Sequence, residues 1–183
     1  MMDTNRRRSL IIAGVVVAST LAAILVATLL VLLVRSGGDE TGTDAHHAPP
    51  EPSETAEGAA SAAIQQIFSW RPAEQAGPWD ALHSASDSLT GVLAQGAAER
   101  PVDEPLPPQW SAWATSGDVV IAATERTGKP ADPDAEAAQV TLRLRQVVQH
   151  TDGSATPTPE MTVVVDMVRD GSTWLAAEYR FQA

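Results

Sequence analysis

The chain has 183 residues, enough for one domain with appendages but too few for two full domains. It contains no cysteine, which excludes a disulfide framework, a thiolate metal site and a cysteine nucleophile. Its formal net charge of −11 argues against nucleic acid as the main partner, because phosphate binding requires clustered Lys and Arg.

The segment 10–34 is a run of 25 residues without any charged side chain. As a helix rising about 1.5 Å per residue it would exceed the roughly 30 Å hydrocarbon core of a bilayer. Three arginines precede this segment at 6–8, and Arg35 alone follows it. This asymmetry predicts a cytoplasmic basic tail, 1–9, a transmembrane helix, 10–34, and an extracytoplasmic C-terminal part. A cleaved signal peptide is disfavoured, because the apolar stretch is too long and no Ala-x-Ala follows it.

A disordered acidic linker is predicted over 35–57, where three prolines and six acidic residues leave little apolar surface to bury. The remainder, 58–183, has the size of one exported domain. Beyond Arg35 the chain carries eight basic and 22 acidic residues. We therefore expect this part to be repelled by anionic lipid head groups and to project away from the membrane.

Two helices are expected at the start of this domain. A helix over 57–69 is predicted by apolar residues at helical spacing: Ala60, Ala63, Ile64, Ile67 and Phe68. A second helix is predicted from Pro78 to about Gly96, with a second apolar stripe: Trp79, Leu82, Ala85, Leu89 and Leu93. The proline-rich residues 99–109 then form an irregular connector.

After the connector the apolar period changes to two, which predicts four strands, within 119–124, 140–148, 161–167 and 174–181. Because both helices precede all the strands, the order predicts an α+β domain: helices packed on a curved four-stranded antiparallel sheet. For the last hairpin the pattern favours a three-residue loop at 169–171. This loop would place Val165 opposite Leu175 and Gly171 in the left-handed conformation.

Three segments, together with this architecture, carry a resemblance to known proteins: Ile67-Phe68-Ser69-Trp70, residues 81–91 and Asp170 to Leu175. The chain resembles membrane-anchored, cone-shaped domains of the nuclear-transport-factor-two-like, or cystatin-like, fold. Two bacterial families are similar: assembly factors of type IV secretion and conjugation systems, and membrane proteins associated with mammalian-cell-entry lipid-transport loci. In both families the domain is an assembly or scaffold element and not an enzyme.

The resemblance implies a single-pass scaffold protein of the cell membrane, and the conjugation or type IV secretion family ranks first. Ser69-Trp70-Arg71-Pro72 and the Trp110-x-x-Trp113 pair look less like the lipid-transport family. An accessory subunit of a lipid-transport complex is the alternative, and a small-molecule-binding cone domain is the third hypothesis. The implied partners are the membrane, other membrane proteins of the complex and further copies of the chain; no cofactor or metal is implied.

Tryptophan is the informative aromatic residue, with five Trp against one Tyr and two Phe. Trp110 and Trp113 lie between the connector and the first predicted strand, and Trp70 lies at the end of the first helix. These three are candidate partner contacts, because Trp is enriched at binding hot spots. For Trp110 and Trp113, the favoured interpretation is that they cap the open end of the sheet, and an exposed anchor for a partner is the alternative.

No catalytic residue is predicted. Tyr179 falls on the apolar face of the last strand and is expected in the core. The segment 83–87 contains the residue types of a Ser–His–Asp triad, but neighbours on one helix point in different directions. His150 is expected to be exposed at the end of its strand.

Overall fold

Residues 54–182 are those that the computed structural model of the chain describes. The predicted basic tail, 1–9, and transmembrane helix, 10–34, lie outside these residues, as does most of the predicted linker, 35–57. Among residues 54–182, no helix is long and apolar enough to span a membrane. The predicted domain, 58–183, is therefore the part of the chain whose fold can be compared with expectation.

Helices precede strands throughout the described part. The helices are α1 (Ala56–Ile67), α2 (Pro78–Ser84), α3 (Gly91–Ala98) and α4 (Trp110–Ser116). The strands are β1 (Val119–Arg126), β2 (Ala137–Gln149), β3 (Ala155–Pro157), β4 (Met161–Asp170) and β5 (Thr173–Gln182). They form one antiparallel sheet in the order β1-β2-β4-β5, with β3 paired to β2. The α+β class is confirmed, but the sheet has five strands where four are predicted. The additional strand, β3, is not predicted because its three residues are too few to show a period.

The first helix agrees with the prediction to within two residues at either end. Thr55 caps it, since its hydroxyl accepts a hydrogen bond from the N–H of Gly58 at 3.1 Å. All five residues of the predicted apolar stripe are buried: Ala60, Ala63, Ile64, Ile67 and Phe68. Their burial against the sheet explains why this short helix is stable in the domain.

The prediction of one continuous helix over 78–96 is wrong. The structure divides it into α2, a 3-10 turn at Ser86–Ser88 and α3, which begins at Gly91 with a φ of +53°. Immediately before this glycine, the N–H of Thr90 donates to the C=O of Ala176 at 2.8 Å. The interruption therefore gives the edge strand β5 a backbone partner, which a continuous helix would not provide.

The prediction of a three-residue loop at 169–171 is also wrong. The hairpin closes through the two residues Gly171-Ser172, although Gly171 does have the predicted positive φ, at +62°. Ala177 is an extra residue in β5, and beyond this bulge Val165 lies opposite Tyr179. A two-residue loop alone would put polar residues on the core face; the bulge shifts the register by one and restores the apolar face.

The two faces of the sheet differ in character. The face toward the helices carries the most deeply buried side chains of the sheet: Leu142, Leu144, Val163, Val165 and Met167. The opposite face carries ion pairs between neighbouring strands. Arg143 lies 2.9 Å from Glu160, and Arg180 lies 2.8 Å from Asp166. An antiparallel sheet with one core face and one polar face is the expected arrangement for this class.

Candidate partner-binding surface

Trp70 is held against the edge of the sheet by its own backbone. Its N–H donates to the C=O of Val120 at 2.8 Å, and the N–H of Val120 donates to the C=O of Trp70 at 2.9 Å. The indole N–H donates to the C=O of Ile67 at 2.9 Å. The ring is therefore fixed at both ends, which lowers the entropic cost of using it in a contact.

An aromatic cluster surrounds this residue. The centroid of the Trp70 ring lies 5.9 Å from that of Trp110 and 6.3 Å from that of Phe68. Phe68 in turn contacts Tyr179 at 5.4 Å and Phe181 at 5.7 Å in edge-to-face geometry. The cluster thus connects the end of α1 with α4 and the last strand.

The structure places the three candidate tryptophans differently. Trp110 is buried, with 5% of its surface exposed, whereas Trp70 and Trp113 are half-buried. The burial of Trp110 is what the capping interpretation expects, and the binding hypothesis stays a prediction for Trp70 and Trp113. Helix α4, which carries two of the three, was not predicted, because its seven residues are too few to show a helical period.

A groove of about 680 Å³ lies between α1 and the edge strand β1, with Trp70 in its wall. We call it the Trp70 groove. Arg71 and strand residues 119–122 also line it. Its other polar lining residues are four glutamines and two serines: Gln65, Gln66, Gln75, Gln149, Ser69 and Ser84. Among residues 54–182, no Asp or Glu lines this groove.

Internal hydrogen bonds orient the polar side chains of the groove. The Gln66 Nε2 donates to the C=O of Ser84 at 2.8 Å, and the Gln75 Oε1 accepts from the N–H of Arg71 at 2.6 Å. The Ser69 Oγ accepts from the N–H of Ala122 at 3.0 Å. One amide atom of each of the two glutamines, the Gln66 Oε1 and the Gln75 Nε2, makes no further hydrogen bond within the described residues.

A smaller apolar pocket of about 220 Å³ lies on the other side of Trp70. Most of its lining is aromatic, aliphatic or proline: Ile67, Phe68, Trp79, Leu82, Pro101, Pro105 and Tyr179. Burial raises the pKa of Tyr179 above its ordinary value. The volume is below the roughly 300–1,000 Å³ typical of small-molecule pockets. The pocket is therefore better suited to an apolar side chain of a partner than to a free ligand.

A second polar cluster adjoins the groove, because Asp118 and His150 are the chain neighbours of the lining residues Val119 and Gln149. The Asp118 carboxylate is buried, and its Oδ2 lies 3.0 Å from the Nδ1 of His150, whose Nε2 lies 2.9 Å from the Oγ1 of Thr156. A hydrogen bond from Ser116, together with His150, lowers the pKa of Asp118. The expectation of an exposed His150 is wrong: the residue is partly buried and links β2 to the α4–β1 corner and to β3.

The residues at 83–87 do not form a triad in the structure. The His83 ring stacks on Trp79 at 4.7 Å, and its Nδ1 lies 2.8 Å from the C=O of Ala97. Within residues 54–182, no group of three or more His, Asp or Glu side chains is placed to hold a metal ion. The sequence signal that could have indicated the Asp118–His150 pair is weak, because 31 positions separate the two residues.

Comparisons with known proteins assign no family. No family model matches the chain, and no curated protein matches it. Among solved structures, the crystal structure of the intermembrane space region of the chloroplast protein ARC6 is similar at 16% sequence identity, with a TM-score of 0.34. That match covers 74% of this chain and 99% of the other. A likeness at this distance supports no statement about function.

Proposed function

We propose that this protein is a non-enzymatic, single-pass membrane scaffold of a conjugation or type IV secretion-like machine. In this proposal the apolar segment 10–34 is the anchor, and the domain that follows the linker holds partner proteins outside the cytoplasmic membrane. The observation that carries the proposal is the position of Trp70, which is the wall shared by the polar groove and the apolar pocket.

This arrangement has the features of a protein-binding surface. Binding hot spots combine a rigid aromatic residue with an adjacent pocket and a polar surround. Trp70 is fixed by three hydrogen bonds, the apolar pocket can accept one side chain, and the groove offers amide and guanidinium groups. These groups favour a partner protein over a free small molecule.

The alternative, an accessory subunit of a lipid-transport complex, uses the same anchor and the same kind of surface. The two hypotheses differ in the partners. The small-molecule hypothesis requires an enclosed cavity: the 220 Å³ pocket is too small, and the 680 Å³ groove has the volume but is open to solvent. The distinction therefore has to come from the proteins that the domain contacts in the cell.

The test is chemical crosslinking of the full-length protein in cells, followed by mass spectrometry of the adducts. The scaffold proposal expects adducts with itself and with a coupling ATPase or channel proteins, and fewer adducts for Trp70→Ala than for the matched Trp113→Ala variant. Adducts with a lipid-transport permease would replace the proposal by the alternative. Recovery of only uncrosslinked monomer would contradict both.

A further inference from the structure

Charge is distributed unevenly around the Trp70 groove. The described residues contain 18 Asp and Glu against eight Lys and Arg, yet the groove is lined by Arg71 and by no carboxylate. Within residues 54–182 the Arg71 guanidinium makes no ion pair, not even with Glu74 in the same turn. The groove is therefore a local positive region on an acidic domain, where an anionic group is attracted.

The floor of the groove is the edge of the sheet. On its outer side β1 receives backbone bonds from Trp70 at Val120, and the Ser69 Oγ accepts the N–H of Ala122. Strand residues 119–122, which line the groove, are therefore already partly paired. Beyond the groove lining, from residue 123 to Arg126, no backbone hydrogen bond from outside the sheet reaches β1 within the described part of the chain. An edge that is only partly paired is a template for one more extended segment.

The side chains above this edge match the groups of a peptide. The Gln66 Oε1 accepts and the Gln75 Nε2 donates, which are the roles needed to pair with a backbone N–H and a backbone C=O. The planar guanidinium of Arg71 has the geometry to hold a carboxylate through two parallel hydrogen bonds.

From these observations we infer that the Trp70 groove binds an extended, acidic segment of a partner protein. In the groove the two glutamines bond the backbone of the segment, and Arg71 pairs with one of its Asp or Glu side chains. The free edge of β1 at 123–126, which continues from the end of the groove, selects an extended backbone. The inference rests on the proposed scaffold function and specifies the chemistry of the partner. A glycan would use the amides and Trp70 equally well, but it would have no use for the strand edge.

The test places a photoreactive amino acid at Gln149, an exposed lining residue with no role in the proposed contacts, in the full-length protein in cells, and maps the crosslinked segment by mass spectrometry. We expect adducts on a segment with net negative charge. Arg71→Glu is expected to lower the adduct yield about tenfold, because it places like charges together. Arg71→Lys is expected to lower it about threefold, since the charge remains but the paired hydrogen bonds are lost.

Lys129→Glu is the matched control, because Lys129 is exposed, does not line the groove and makes no ion pair within the described residues. It changes the net charge by the same amount and is expected to leave the yield within about twofold. The unfolding temperature of each variant verifies that the exposed Arg71 side chain is not needed for folding.

Three results would overturn the inference: a neutral or basic crosslinked segment, a glycan adduct, or an adduct yield that Arg71→Glu and Lys129→Glu change equally. If a photoreactive residue at the exposed Gln139 captured conjugation or secretion proteins while Gln149 captured nothing, the groove inference would fail and the scaffold function would survive. If neither position captured a protein, both would fail.

Discussion

The outer face of the sheet and the Trp70 groove are both polar surfaces, but they differ in whether their arginines form ion pairs. On the outer face every arginine has a carboxylate partner: Arg143 and Arg145 share Glu160, and Arg180 pairs with Asp166. In the groove, Arg71 has no such partner among the described residues. The outer face is therefore satisfied internally, whereas the groove keeps an unused capacity to bind.

In an acidic domain, an arginine without an ion pair indicates a binding surface better than arginines that are already paired. An exposed ion pair contributes only about 0–1 kcal/mol to stability. The ion pairs of the outer face therefore add little stability, but they satisfy the charges of that face without a ligand. An arginine without a partner, beside oriented amides and a fixed tryptophan, is more informative than a larger number of paired charges.

Leu144 and Arg145 are neighbours on β2 that face opposite sides of the sheet. Leu144 is fully buried, and Leu144→Ala is expected to lower the free energy of unfolding by about 2–5 kcal/mol. Arg145→Ala, which removes the contact with Glu160 at 2.6 Å, is expected to lower it by about 1 kcal/mol or less. Urea unfolding checks both, and equal losses would contradict the assignment of the two faces.

Trp70→Ala is expected to lower the free energy of unfolding by about 2 kcal/mol, less than a fully buried tryptophan, because the residue is only half-buried. It should also remove the indole ring that separates the groove from the apolar pocket, and the crosslinking yield should therefore decrease. Trp70→Phe retains a ring and is expected to recover more than half of the stability. A larger loss of crosslinking for Trp113→Ala than for Trp70→Ala would move the binding surface to α4.

The Asp118–His150 pair predicts a dependence of stability on pH. The pKa of Asp118 is lowered in the folded protein, so its contribution is present above the unfolded value of about 3.9 and is lost as pH falls through the folded value. The free energy of unfolding, measured in urea between pH 7 and pH 3, should therefore decrease less steeply for Asp118→Asn than for the unmodified chain. Asp87→Asn, at an exposed position, is the control, and parallel curves for all three proteins would contradict the prediction.

The smallest effect is expected on the outer face. Arg180→Ala breaks the pair with Asp166 and is expected to change the free energy of unfolding by less than about 1 kcal/mol, because the arginine side chain is 47% exposed. Its crosslinking yield should equal that of the unmodified protein. A loss of adducts in this variant, with Arg71→Glu unaffected, would reverse the roles of the two surfaces.

The periodic elements of the fold could be predicted from the sequence, whereas the irregular ones could not. Apolar residues recur at helical spacing in α1 and at every second position in the long strands, so the local pattern is sufficient to predict these elements. The break before Gly91 and the bulge at Ala177 depend on contacts with β5 and on register, neither of which is a local property. Trp70 could be named as a candidate contact because the chain is rich in tryptophan and this residue lies at the end of the first predicted helix.

The rest of the candidate site was not visible in the sequence. Gln66 and Gln75 look like ordinary solvent-facing residues, and only the approach of α1 to the edge of β1 makes them the lining of a groove. The unpaired state of Arg71 depends on which carboxylates fold near it. Such properties belong to the assembled surface and have no signature in spacing.

The most direct test of the central claim compares the two surfaces in one protein. A photoreactive amino acid is placed at Gln149, in the groove, or at Gln139, exposed on the outer face, of the full-length chain in cells. We expect partner adducts from Gln149 at a yield at least about tenfold above that from Gln139. Adducts predominantly from Gln139 would contradict it and place binding on the outer face.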